Sequence, residues 1–262
     1  MDRRSVLGAA LALTAIRTAQ AADKLRPIFV VGATARMAPE IMQQALDQGR
    51  RVTGFARSPE KIAIKNKNFT AVKGDIYDLK ALTDALKGDE VVISLVGPRL
   101  ERGVEPGYID IYSVGVSTVI SAMRAKGNKR LLITTSGGTE QIPKEKPTNG
   151  DPIDEIVWRN RNLYGDMQRS EKIVAVSDLE YIVLRPRFLG DGPKQHNLKF
   201  SVHKNHTAFK ERTGGATSRV LYSDIAEFVL TLLDGPNPYL GTAVGIYSDS
   251  QIQLRSSAAK EE

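Results

Sequence analysis

Blocks of consecutive apolar residues recur along this chain, and most are followed by a stretch with helical spacing. Pro27–Val31, Arg51–Ala56, Phe69–Val72, Glu90–Val96, Arg130–Thr135 and Glu180–Leu184 read as six strands. Most of these runs are mainly apolar rather than strictly alternating, as expected of strands covered on both faces. Between them, Pro39–Asp47, Leu79–Leu86 and Tyr108–Ala125 read as helices stopped by Gly49, Gly88 and Gly127. Glycine is the favoured residue just past a helix, because the left-handed conformation costs it nothing. Asp151 and Pro152 open another helix as N-cap and first helical residue, which continues to about Val176 with a break near Asn160–Asn162. This repeated strand–helix unit predicts an α/β fold, a doubly wound parallel sheet with helices on both faces. Residues 186–218 lose the rhythm and are rich in Lys, His and Gly. After them, Ser223 is expected to cap a last helix, Asp224–Leu233, and Ala243–Tyr247 to form a final strand.

With 262 residues, 41% hydrophobic and 26% charged, the chain is long enough for one domain with a sizeable core. It has no cysteine, which excludes disulfides, thiolate catalysis and cysteine metal sites. The net charge of +7 comes from scattered basic residues, a pattern that fits an anionic cofactor and not nucleic acid. Residues 1–22 differ from the rest. Arg3 and Arg4 precede an apolar run from Gly8 to Ile16, too short to span a bilayer, and Ala19-Gln20-Ala21 offers a small-x-small cleavage site. The paired arginines resemble a twin-arginine export signal, so a periplasmic or exported protein handled by the twin-arginine machinery is expected, with cleavage near Ala21. Residues 23–255 then form a single domain and 256–262 a disordered tail.

The first strand ends in Val30-Val31-Gly32-Ala33-Thr34-Ala35-Arg36-Met37-Ala38, with small residues at positions 32, 35 and 38. A strand, a tight turn and a helix N-terminus present backbone N–H groups and a positive dipole end to a pyrophosphate. Gly32, Thr34, Ala35, Arg36 and Met37 are therefore candidate contacts to a dinucleotide. Ala38 is harmless, since the third small residue only lets helix and strand pack, whereas Ala35 stands where the backbone approaches the phosphates. Strand two ends Ala56-Arg57-Ser58, with no acid to hold a ribose 2′-hydroxyl. Arg57 and Ser58 suit a 2′-phosphate instead, so NADP is favoured over NAD. Asp75 and Ile76 after strand three fit the adenine, and Val96 and Gly97 after strand four fit the wall beside the nicotinamide ribose. Residues 186–218 then read as a small substrate-side subregion.

The segments VVGATARMA, VTGFARSPEKI, VKGDIYD, MQRSEKIVAVSDLEYIVLRPRFL and SRVLYSDIAEFVLTLL resemble the atypical short-chain dehydrogenase/reductases, in the NAD(P)H-binding or NmrA-like branch. The resemblance covers about Pro27 to Ser248 and implies a Rossmann-type fold, with Arg185-Pro186 bordering the nicotinamide end. The wider superfamily uses a Ser or Thr after strand five and a Tyr with a Lys four residues later. Thr135 and Ser136 fit the first position, with Ser136 the candidate catalytic residue, and Tyr164 fits the second. Gln168 occupies the Lys position, and an uncharged amide cannot lower a phenol pKa much. The expected function is an NADPH-dependent reductase or epimerase of a small carbonyl or quinone-like substrate. The alternative is a dinucleotide-binding sensor or assembly partner without turnover. His196, His203 and His206 lack the spacing and acidic neighbours of a metal site, and none is expected.

Overall fold

The computed structural model describes residues 25–100, 104–204 and 218–249. The expected export signal, His206 and the expected tail lie outside the described residues. In chain order the elements are β1 (Ile28–Val31), α1 (Ala38–Asp47), β2 (Val52–Ala56), β3 (Phe69–Lys73), α2 (Leu79–Ala85), β4 (Val91–Ser94), α3 (Ser113–Lys126) and β5 (Arg130–Thr134). There follow α4 (Pro152–Arg159), α5 (Arg161–Ala175), β6 (Glu180–Pro186), β7 (Phe188–Gly190), β8 (Leu198–His203), β9 (Arg219–Leu221), α6 (Tyr222–Thr231) and β10 (Thr242–Ser248). The main sheet runs β3-β2-β1-β4-β5-β6-β10-β8, parallel except for β8, which pairs antiparallel with β10. The chain order reverses between β1 and β4, and an open α/β sheet binds its ligand at such a switch point, beyond the carboxyl ends of the strands.

The two faces of the sheet carry separate cores. On one, α1 buries Ala38, Ile41, Met42, Ala45 and Leu46, spaced as one helical stripe, against α6 and the undersides of β1 and β4. On the other, α3 buries Val116, Val119, Ile120 and Met123 against Leu82 of α2, Val174 of α5 and the opposite side chains of the same strands. Strands between two apolar layers must be apolar on both sides, which is why β1 and β4 are buried at every position.

Several boundaries differ from the sequence reading for identifiable reasons. The helix expected from Tyr108 begins at Ser113, because Asp166 of α5 accepts the Tyr112 amide at 2.8 Å and fixes the start of α3 there. Asp166 is fully buried at the N-terminus of α3. Ile109 and Tyr112, upstream of the helix proper, pack against Leu163 and Met167. Ser223 does not cap α6. Leu221 holds that position, and the Ser223 hydroxyl donates to the Gly192 carbonyl at 2.9 Å. Asp151 does cap α4, accepting from Ile153 at 2.7 Å, and the break between α4 and α5 falls at Asn160. Within 186–218 the strand–helix rhythm ends because β8 turns back to pair antiparallel on the sheet, while β7 pairs with β9 in a separate two-stranded piece.

Candidate dinucleotide and substrate site

The turn after β1 is built around Gly32. Its φ is +82°, and a Cβ there would lie 3.0 Å from the Leu95 carbonyl carbon, so only glycine allows β1 and the end of β4 this close. The amides of Gly32 and Ala33 both donate to the Phe55 carbonyl, at 3.0 and 3.1 Å, and that of Ala35 to the Gly32 carbonyl at 2.8 Å. The amides of Thr34, Arg36 and Met37 have no backbone acceptor among the described residues, which leaves donors at the helix end where a pyrophosphate is held.

Two cavities open from this turn along the carboxyl ends of the strands. The first, about 160 Å³, is lined by Gly32, Thr34, Ala35, Arg57, Asp75, Ile76, Val96 and Gly97, with Phe55, Tyr77 and Ile111 among its other walls. The second, about 450 Å³, is lined by Ala35, Arg36, Met37, Val96, Gly97, Ser136, Tyr164 and Pro186, together with Tyr112, Met167, Arg187 and Phe188. They share Ala35, Val96 and Gly97 and so form one groove from β3 to β6. Of the contacts picked out in the sequence, all but Ser58 and Arg185 lie along it. Ser58 precedes a short turn, Pro59–Lys61, and lines neither cavity. Arg57 and Arg36 are exposed, and neither has an acidic partner among the described residues. Asp75 lines the first cavity while its carboxylate accepts the Tyr77 amide at 3.1 Å, an arrangement that shapes the loop after β3. Tyr77 donates to Asp110 at 2.8 Å, and partial burial together with that carboxylate pushes its phenol up to about 12.

At the far end, the sequence left Thr135 and Ser136 as alternatives. Thr135 is taken by the core, where its hydroxyl donates to Glu171 at 2.6 Å. Ser136 faces the groove beside Tyr164 and accepts the Gly138 amide at 3.1 Å. The Tyr164 ring lies over Gly138, where a Cβ would come within 2.5 Å of it. Burial raises the Tyr164 phenol above its ordinary value, against the lowering effects of Ser136 and of the Arg187 charge. Gln168, four residues on, does not reach the groove chemistry. It donates to the Thr139 carbonyl at 2.7 Å and holds the turn that carries Gly137 and Gly138.

The expectation for Arg185-Pro186 needs one correction. Pro186 lines the groove, but Arg185 turns into the core and grips both carboxylate oxygens of buried Glu171. The cation at the site is Arg187, which the sequence reading missed. It donates to the Gly137 carbonyl at 3.0 Å and to Glu140 at 2.6 Å, and Glu140 is wholly buried. The signal for it was the glycine pair after β5, because a Cβ on Gly137 would meet the Arg187 guanidinium at 2.5 Å. His196 sits 2.9 Å from Glu227, near Asp224. Lys194 takes the other Glu227 oxygen, and Asp224 accepts the amides of Gln195 and His196, so the cluster ties this loop to α6.

A parallel sheet with a glycine turn at its switch point, and a hydroxyl pair at the other end of the same groove, defines a dinucleotide-binding α/β protein. The profile of the NAD(P)H-binding family matches residues 32–236, and the chain belongs to that family. Among curated relatives, it is 26% identical over 197 residues to aldehyde reductase 2 of Sporidiobolus salmonicolor, covering 69% of this chain and 57% of the relative. It is 27% identical over 189 residues to 2-alkyl-3-oxoalkanoate reductase of Shewanella oneidensis, covering 68% of this chain and 48% of the relative. The chain thus spans about half the length of these curated relatives. A short-chain dehydrogenase/reductase of Veillonella parvula, solved in complex with NADP, superimposes with a TM-score of 0.65 at 15% identity, over 86% of this chain and 96% of that one.

Proposed function

We propose that the protein is an NADPH-dependent reductase of small carbonyl compounds. The observation that carries this reading is the placement of Ser136 and Tyr164 together at the end of a groove that begins at the Gly32 turn. The amides at Thr34, Arg36 and Met37 would hold the pyrophosphate, and Arg57 with Arg36 the 2′-phosphate. When bound, the reduced nicotinamide supplies a hydride to the carbonyl carbon. Tyr164 bonds the carbonyl oxygen beside Ser136 and gives up its proton as that oxygen becomes a hydroxyl. Water in the open groove then returns a proton to the phenolate, so one hydride and one proton convert the carbonyl to an alcohol. A phenol raised by burial keeps its proton at neutral pH, which suits donation in the direction of reduction.

Export, with the nucleotide bound before passage through the twin-arginine route, is part of the same proposal. It rests on Arg3, Arg4 and the Ala19-Gln20-Ala21 segment. Protein recovered from the periplasm is expected to release NADP on denaturation, and Arg57→Ala should weaken NADP about tenfold or more while sparing NAD. Recovery of wild-type protein without dinucleotide, or equal weakening of both nucleotides by Arg57→Ala, contradicts the assignment.

A further inference from the structure

Beside the hydroxyl pair, on the side away from the Gly32 turn, lies a recess of about 70 Å³. Ser136, Tyr164, Arg187 and Phe188 line both it and the larger cavity, so it opens where a reacting carbonyl would sit. Its outer wall is the inner face of α4, with Ile153, Ile156 and Val157, and Gln141 closes one end. Among the described residues, Arg187 is the only charged side chain lining it, and that charge is already answered. One nitrogen donates to the Gly137 carbonyl and another to the carboxylate of Glu140, which has no exposure to solvent. A substrate carboxylate placed here would lose its water and gain no unmatched cation to offset that loss. An uncharged apolar group would lose nothing comparable and would cover Ile153, Ile156 and Val157. The volume sets the length of that group, since about 70 Å³ is roughly half of the ~150 Å³ that takes up benzene.

We propose that the substrates are uncharged carbonyl compounds whose apolar arm, about two to four carbons long, fills this recess, and that carboxylates are rejected. The inference rests on the reductase reading for the position of the carbonyl, but the recess can be tested without turnover. Two matched pairs serve. Methyl 4-oxobutanoate and 4-oxobutanoate, which differ only in the charge at the end of the arm, are compared as substrates with NADPH, and butanamide and butanoate as unreactive ligands titrated calorimetrically into NADP-loaded protein. The ester should exceed the acid in kcat/KM, and the amide should outbind butanoate, each by at least about tenfold. Val157→Phe should abolish amide binding and leave NADP affinity unchanged. Amide binding with no NADPH oxidation by either oxo compound would overturn the reductase reading and support the substrate class. Equal binding of amide and butanoate, binding of neither, equal turnover of ester and acid, or undiminished amide binding in Val157→Phe would overturn the substrate class.

Discussion

Replacing Tyr164 by phenylalanine should lower kcat/KM for carbonyl reduction about 10²- to 10³-fold, the usual worth of a positioned proton donor, while NADP affinity stays within about twofold. The ring lies over Gly138 and contributes its area to the wall with or without the hydroxyl, so the variant removes a proton and little else. The pH profile carries the sign. Burial holds the phenol above its ordinary value, the lowering effects of Ser136 and of the Arg187 charge notwithstanding. The proton-bearing form therefore prevails through neutral and mildly alkaline pH, and reduction should be flat there, falling only as pH rises through the raised pKa. Oxidation of an alcohol needs the phenolate and should instead climb across the same range. Steady-state rates in both directions against pH check this, and a Tyr164→Phe enzyme with wild-type turnover would remove Tyr164 from the reaction.

The second large effect belongs to Gly32. An alanine there would take a φ of +82°, and its methyl would meet the Leu95 carbonyl carbon at 3.0 Å and the Val96 nitrogen at 3.1 Å. Left-handed backbone costs a residue with a Cβ about 1–2 kcal/mol, and neither contact is a side-chain end that can swing away. Gly32→Ala should therefore lose about 2–3 kcal/mol of stability in urea denaturation. It should also weaken NADP by at least about tenfold, because Val96 lines both cavities and moves with β4. Unaltered nucleotide affinity in a folded Gly32→Ala protein would place the pyrophosphate elsewhere.

The architecture was legible because each layer imposes its own local pattern. Unbroken apolar strands, a five-residue stripe on α1 and a glycine after α3 all follow from neighbours close in the chain. The groove was legible for a related reason, since ligand-bearing loops lie at the carboxyl ends of parallel strands once their order is known. What the sequence did not disclose are partners far apart in the chain. Nothing near Arg187 points to Glu140, 47 residues earlier, and nothing near Asp166 points to Tyr112, 54 residues earlier. The choice between Arg185 and Arg187 at the site was decided by a buried acid, Glu171, that claims the first through both of its oxygens. The same carboxylate accepts the Thr135 hydroxyl. Ala35 lies where the two cavities meet, so its methyl stands at the point where the sequence placed a close approach of backbone to phosphate.

The central claim is that this chain passes a hydride from bound NADPH to a carbonyl carbon beside Tyr164. Turnover with NADPH deuterated at the transferable hydride, followed by mass spectrometry of the alcohol, reads that step directly. One deuterium is expected on the carbinol carbon of the product from a small uncharged carbonyl. A protein that binds NADPH yet yields no deuterated alcohol from any aldehyde or ketone offered would contradict it.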